Sequence, residues 1–133
     1  MNTKLLRKVQ KFLLKEPRRF DMLDWLAPSA FSNTVLEKPP CGTTCCIAGA
    51  AFILDRKVEP GKALTEYETY QISVRDIATD ALGLDLDQRE RLFYTADWPV
   101  KYCVAYHRAK TQRQRVKVGV ARIEHFIKTK GAE

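Results

Sequence analysis

Apolar residues at Leu5, Leu6, Val9, Phe12 and Leu13 fall at helical spacing, with Thr3 placed to cap and Pro17 ending the pattern, which predicts a helix over about Thr3 to Lys15. After Pro17 the segment Phe20–Leu26 mixes apolar anchors with Asp21 and Asp24 and stops short of Pro28, a pattern for a helical turn or two. Residues 27–40, with Pro28, Ser29, Ser32, Asn33, Pro39 and Pro40, read as a loop. The stretch from Cys41 to Leu54 is small or apolar almost all round, and a helix without a polar face is a buried one. Residues 55–72 are charged and interrupted by Pro60-Gly61, hence a loop, with Tyr67 to Ile72 extended.

Four helix signals follow. Ser73 caps a segment carrying Val74, Ile77, Ala78, Ala81 and Leu82, and Gly83 supplies its left-handed end. Asp85 and Gln88 form a capping box for a short helix through Leu92 and Phe93. Another begins around Trp98-Pro99 and reaches about Ala109. The last carries Val116, Val120, Ile123, Phe126 and Ile127 and stops at Gly131. The fold class expected is all-α: one compact domain, residues 1–133, of five or six helices around a buried central helix.

Composition narrows this. At 133 residues and 45% apolar content the chain fills one core, and its 29% charged residues exclude a disordered or low-complexity protein. The longest run without polar or charged side chains, Cys45 to Leu54, is about half the ~20 residues a membrane span needs. Lys4, Arg7, Lys8 and Lys11 interrupt the first apolar stretch, so it is no secretory signal; the expectation is a cytoplasmic protein whose Cys41, Cys45, Cys46 and Cys103 are thiols.

The net charge of +7 is unevenly spread. Residues 1–20 hold seven cations against one acid, residues 21–100 seven against thirteen, and residues 101–133 nine against two. If the first and last helices are neighbours, their cations make one positive face suited to phosphates; otherwise they solvate two amphipathic helices.

The segments Phe20-Asp21-Met22 with Trp25, Cys41-Gly42-Thr43-x-x-Cys46-Ile47-Ala48-Gly49, Leu82-Gly83-Leu84, Leu92-Phe93, Trp98-Pro99 and Arg122-Ile123 with Phe126-Ile127 span nearly the whole chain. Together they resemble a functionally uncharacterised family of small bacterial and phage-encoded proteins with a C-G-T-x-x-C-I-A-G core. Many relatives have an aromatic residue after the core glycine, where Ala50 stands here. The phage occurrence of that family makes an anti-defence role conceivable, such as sequestering a nucleotide signal or an effector.

Several chemical readings of these residues stay open. Cys41-Gly42-Thr43 is a tight turn in which Thr43 caps the following helix and Cys46 packs as a small hydrophobe. Alternatively Gly42, Thr43 and Thr44 present helix N–H groups and hydroxyls to a phosphate or carboxylate. A third reading makes Cys41 or Cys46 a nucleophile with a lowered pKa and His107 or His125 its base. A fourth assembles Cys41, Cys45, Cys103 and His107 into a zinc site. Finally, Arg108, Lys110, Arg113, Arg115, Lys117 and Arg122 crowd beside Tyr102, Tyr106 and His107, and cations mixed with aromatic rings suit phosphates plus stacked bases. The function expected is non-enzymatic binding of a phosphate-bearing ligand, nucleic acid or nucleotide, needing no cofactor. The alternatives are a cysteine-dependent enzyme and an adaptor for an acidic protein partner.

Overall fold

The chain's capping residues set most of its element boundaries. A computed structural model describes residues 1–28, 39, 42–70 and 73–133, with the backbone alone at 66–70. Helix α1 (Thr3–Lys15) is capped by Asn2, whose side chain accepts from the Leu5 N–H, rather than by Thr3. A 3-10 turn (Pro17–Arg19) leads through bends at 22–25 into strand β1 (Leu26–Pro28). Strand β2 (Thr43–Cys45) pairs with β1 in antiparallel register, Leu26 opposite Cys45. The helices α2 (Ile47–Arg56), α3 (Pro60–Tyr70), α4 (Val74–Leu82), α5 (Leu86–Phe93), α6 (Val100–Arg108) and α7 (Gln112–Lys128) follow, with a 3-10 turn at Thr95–Asp97. The protein is therefore all-α with one small two-stranded ribbon, and has seven α-helices among the described residues.

Ser73 and Gly83 bound α4 as expected, Asp85 and Gln88 close a reciprocal capping box on α5, and Thr111 with Gln114 does the same for α7. Three segments depart from the sequence pattern. Phe20–Leu26 is not helical, because Phe20 bridges to Cys45 and the Asp21 N–H donates to the Cys45 carbonyl at 3.0 Å. The Cys41–Leu54 stretch is two elements, a strand and then a helix starting at Ile47. The expected loop after residue 55 contains α3, which starts on Pro60; proline at the first helical position gives up only an N–H that would have no partner there anyway. Of the residues expected to be extended, 67–70 are helical and 71–72 lie outside the described residues, as does most of the 27–40 loop.

Helix α2 is the buried centre, with Ile47, Ala48, Ala50, Ala51 and Phe52 fully enclosed, and it packs against α1 and α4. Helix α7 packs on α1 and α6. Two glycines inside helices permit close approaches. A Cβ on Gly49 would fall 1.9 Å from the Trp25 carbonyl oxygen, and one on Gly119 would fall 2.7 Å from the Phe20 ring. No helix among the described residues is long and apolar enough to cross a membrane.

Candidate functional site

Residues 42–49 are built into the fold. Gly42 has φ +71°, the left-handed conformation the tight turn requires, and its N–H donates to the Pro39 carbonyl at 3.1 Å. Thr43 and Thr44 then enter β2 with 3% and 1% exposure, and the Thr44 hydroxyl donates to the Ala27 carbonyl. Thr43 is therefore not a cap, and Gly42, Thr43 and Thr44 do not surround a helix N-terminus: Gly42 is the left-handed turn, and Thr43 and Thr44 are extended. That end of α2 begins three residues beyond Thr44, at Ile47, and is capped by Cys46, whose Sγ accepts from the Gly49 N–H at 3.5 Å. Its first turn, Ile47 to Gly49, is buried, with Gly49 against the Trp25 carbonyl.

Enclosure also bears on the chemistry of Cys46. Burial pushes the Cys46 thiol up to about 12, opposite to the shift a nucleophile needs, while His107 is exposed on α6. Cys45, Cys46 and Cys103 carry free thiols, and Cys41 lies outside the described residues. Cys45 is fully buried in β2 and Cys103 half-buried on α6. Among the described residues no three His, Cys, Asp or Glu side chains converge on a point that could hold a metal, so Cys45, Cys103 and His107 do not form the expected set.

The concave feature that gathers aromatic and charged residues is a cleft of about 280 Å³. Its walls come from four places in the chain: the bends at Asp21–Trp25, the end of α5 with Tyr94–Ala96, the last turn of α6 with Tyr106 and His107, and Arg115 on α7. Local hydrogen bonds hold the walls together. Gln112, fully buried, donates from its side-chain amide to the Phe20 carbonyl, tying the start of α7 to the bends. The Met22 N–H donates to the Tyr106 hydroxyl at 3.0 Å, and the Leu23 N–H to the Asp21 carboxylate at 3.1 Å.

Rings dominate the lining. Trp25, half-buried, meets Tyr94 edge to face at 5.5 Å and Phe93 at 6.2 Å. Tyr106 packs edge to face against Phe20 and Trp98, and the Arg115 guanidinium lies 5.5 Å from its ring centre. Burial raises the Tyr106 hydroxyl to about 12, so it stays neutral and accepts the Met22 N–H throughout the physiological range. The cleft thus presents flat apolar walls, one guanidinium, one imidazole and one buried carboxylate.

Of the residues singled out in the sequence, the cleft unites Tyr106, His107 and Arg115. Tyr102 instead packs its ring against His125 at 5.4 Å, with the Lys101 ammonium above it. Arg108 and Lys110 are exposed at the α6–α7 junction, and Arg113 is exposed on α7 near Lys15 and Arg18 of the α1 end. Arg122 belongs to the core: it is fully buried and donates to the carbonyls of Arg91 at 2.7 Å and Glu133 at 2.9 Å. Asp21, Trp25 and Tyr94 were not singled out as site residues, because nothing in the sequence joins positions 21–25 to position 94.

Compared with protein-family models, curated proteins and solved structures, the chain matches none.

Proposed function

We propose that the protein is a non-enzymatic binding protein for a nucleotide, free or as one unit of a nucleic acid, and that the base enters the cleft beside Trp25. The observation that carries this reading is the company of rings and donors in one concavity: Trp25, Tyr94 and Tyr106 with His107 and Arg115. Aromatic walls suit a base because every base offers a π-face, and the guanidinium and imidazole suit its phosphate. The Asp21 carboxylate, an acceptor, is placed to meet exocyclic amino groups. Binding is favoured over cysteine chemistry because Cys46, with 1% exposure, offers no thiolate to a substrate.

Calorimetric titration with adenosine, guanosine, cytidine and uridine monophosphates tests the reading. Saturable binding is expected, quenching the half-buried Trp25 rather than the enclosed Trp98. Trp25→Leu should weaken it by about 5- to 150-fold, the range for one lost base stack. A folded wild-type protein that binds none of the four, nor a short oligonucleotide, refutes the assignment.

A further inference from the structure

The cleft leaves most of the terminal cations unused, and the packing of α1 on α7 gathers them elsewhere. The two helices run antiparallel: the Gln10 side-chain amide donates to the Val120 carbonyl at 3.0 Å, and Arg7 pairs with Glu124. Farther along the same seam, Lys11 and Leu14 of α1 share a groove with Lys117 of α7. Beyond it, Lys15 and Arg18 share a second concavity with Arg113.

Helical geometry makes this one surface. Lys4, Lys8, Lys11 and Lys15 recur every three or four residues, so they form a single exposed stripe on α1, opposite the buried Leu6, Val9 and Leu13. Arg113 and Lys117 stand four apart on the facing edge of α7. The acids of the seam are already engaged: Glu124 with Arg7 and, at 3.8 Å, Lys128; Glu16 with Arg18 at 2.8 Å. Lys11, Lys15, Arg113 and Lys117 make no ion pair with any described residue, so their charge is directed outward.

We propose that this α1–α7 seam is a binding face for the phosphodiester backbone of a nucleic acid strand, gripped mainly by Lys11, Lys15, Arg113 and Lys117. Phosphates are the occupant that charge complementarity selects, since the face offers unneutralised ammonium and guanidinium groups in a row and its only exposed large apolar side chain is Leu14. The seam does not depend on the cleft. If both bind, they divide the work, backbone on the helices and one base beside Trp25.

The test is fluorescence anisotropy with a labelled twenty-nucleotide oligothymidylate across a salt series. Four phosphates neutralised on a single strand give a slope of log affinity against log salt of about −3, or roughly 50-fold weaker binding at 200 mM than at 50 mM salt. The double variant Lys11→Glu/Lys117→Glu should lose at least tenfold in affinity at 50 mM salt and about half the slope, whereas Lys62→Glu on α3 should change neither. Lys11→Gln/Lys117→Gln is the milder pair should the charge reversal unfold the chain. Oligothymidylate binding without salt dependence, equal binding by the double and Lys62 variants, or equally tight binding of polyglutamate overturns the proposal, the last in favour of an acidic protein partner. Mononucleotide binding separates the two sites. If it survives in the Lys11/Lys117 variants while oligonucleotide binding fails, both proposals stand; if the wild type binds oligonucleotide steeply but no mononucleotide, and Trp25→Leu leaves the oligonucleotide affinity unchanged, only the cleft falls.

Discussion

Replacing Gly49 with alanine tests whether the backbone contact beneath the cleft holds the site together. In an exposed helix the change would be favourable by ~1 kcal/mol, since alanine is the better helix former. Here the new Cβ would stand 1.9 Å from the Trp25 carbonyl oxygen, 2.8 Å from the Cys45 Cβ and 3.0 Å from the Trp25 carbonyl carbon. Ordinary contact begins near ~3.5 Å, so α2 and the Trp25 backbone must separate by roughly 1.5 Å. Neither side yields readily. Trp25 precedes the β1–β2 ladder, and Gly49 stands in the buried first turn of α2. Overpacking of this kind costs about 1–3 kcal/mol, and a ladder hydrogen bond lost in the retreat costs ~1 kcal/mol more, which the helix preference for alanine offsets, so the net expected loss is about 1–3 kcal/mol. For 133 residues that is a fall in melting temperature of about 4–11 °C. Thermal unfolding followed by circular dichroism measures it, with tryptophan fluorescence of the folded variant reporting the displaced Trp25. Gly42→Ala is the contrasting control: φ is +71° but, among the described residues beyond its chain neighbours, no atom lies within 4 Å of a Cβ there, so conformational strain of ~1 kcal/mol is the expected cost and the Trp25 signal should not change. A Gly49→Ala protein that melts within 2 °C of wild type, or above it, would show that the carbonyl moves aside freely and refute the reasoning.

The remaining predictions concern buried polar groups. Cys46 should resist iodoacetamide in the folded protein at neutral pH and react only on unfolding, as followed by mass spectrometry; rapid labelling of native Cys46 would contradict its enclosure. Cys46 and Tyr106 both hold their protons to about 12 when folded, against ordinary values of 9.0 and 10.0, because burial disfavours the anion. Their contribution is thus complete below pH 9 and lost between about 9 and 12, at up to ~1.4 kcal/mol per pH unit for each group. Urea midpoints should accordingly fall between pH 9 and 10.5; a flat profile would refute this. Arg122→Ala removes a fully buried guanidinium and leaves the Arg91 carbonyl without that donor, for an expected loss of about 3 kcal/mol or more in urea unfolding.

What could be read from the sequence alone was whatever local chemistry determines. The ends of α4 and α5 follow from Ser73, Gly83, Asp85 and Gln88, whose side chains or backbone satisfy helix groups a few residues away. The Cys41–Leu54 stretch misled for the opposite reason. Thr43, Thr44 and Cys45 are extended because they pair with Leu26–Pro28 and Phe20, partners about 20 residues distant, and all three are as buried as the helix after them. With no polar face in either element, the change of period from strand to helix leaves no mark in the pattern of polar and apolar positions.

The charged C-terminal run was legible as a composition but not as a surface, and the reason is rotation about one helix axis. At 100° per residue, Arg113 and Lys117 differ by 40° and share an edge, Arg115 stands 200° from Arg113, and Arg122 is half a turn away. One run of like charges is thereby dealt to three surroundings: the α1 seam, the cleft, and the core beneath the Arg91 carbonyl. The angle of each cation can be worked out from its position in the sequence. What lies opposite it cannot, because α1, the bends before β1 and the end of α5 are brought there by contacts between residues about 30 to 110 positions apart. The role of each arginine follows from that neighbour: Arg122, enclosed with two carbonyl acceptors, is engaged in stabilising the core, while Arg113 is exposed beside Lys15 and Arg18. Counting all six cations as one basic patch would therefore overstate the charge on the seam: only Arg113 and Lys117 of the six stand there, and with Lys11 and Lys15 of α1 they make the four contacts the salt slope is expected to report.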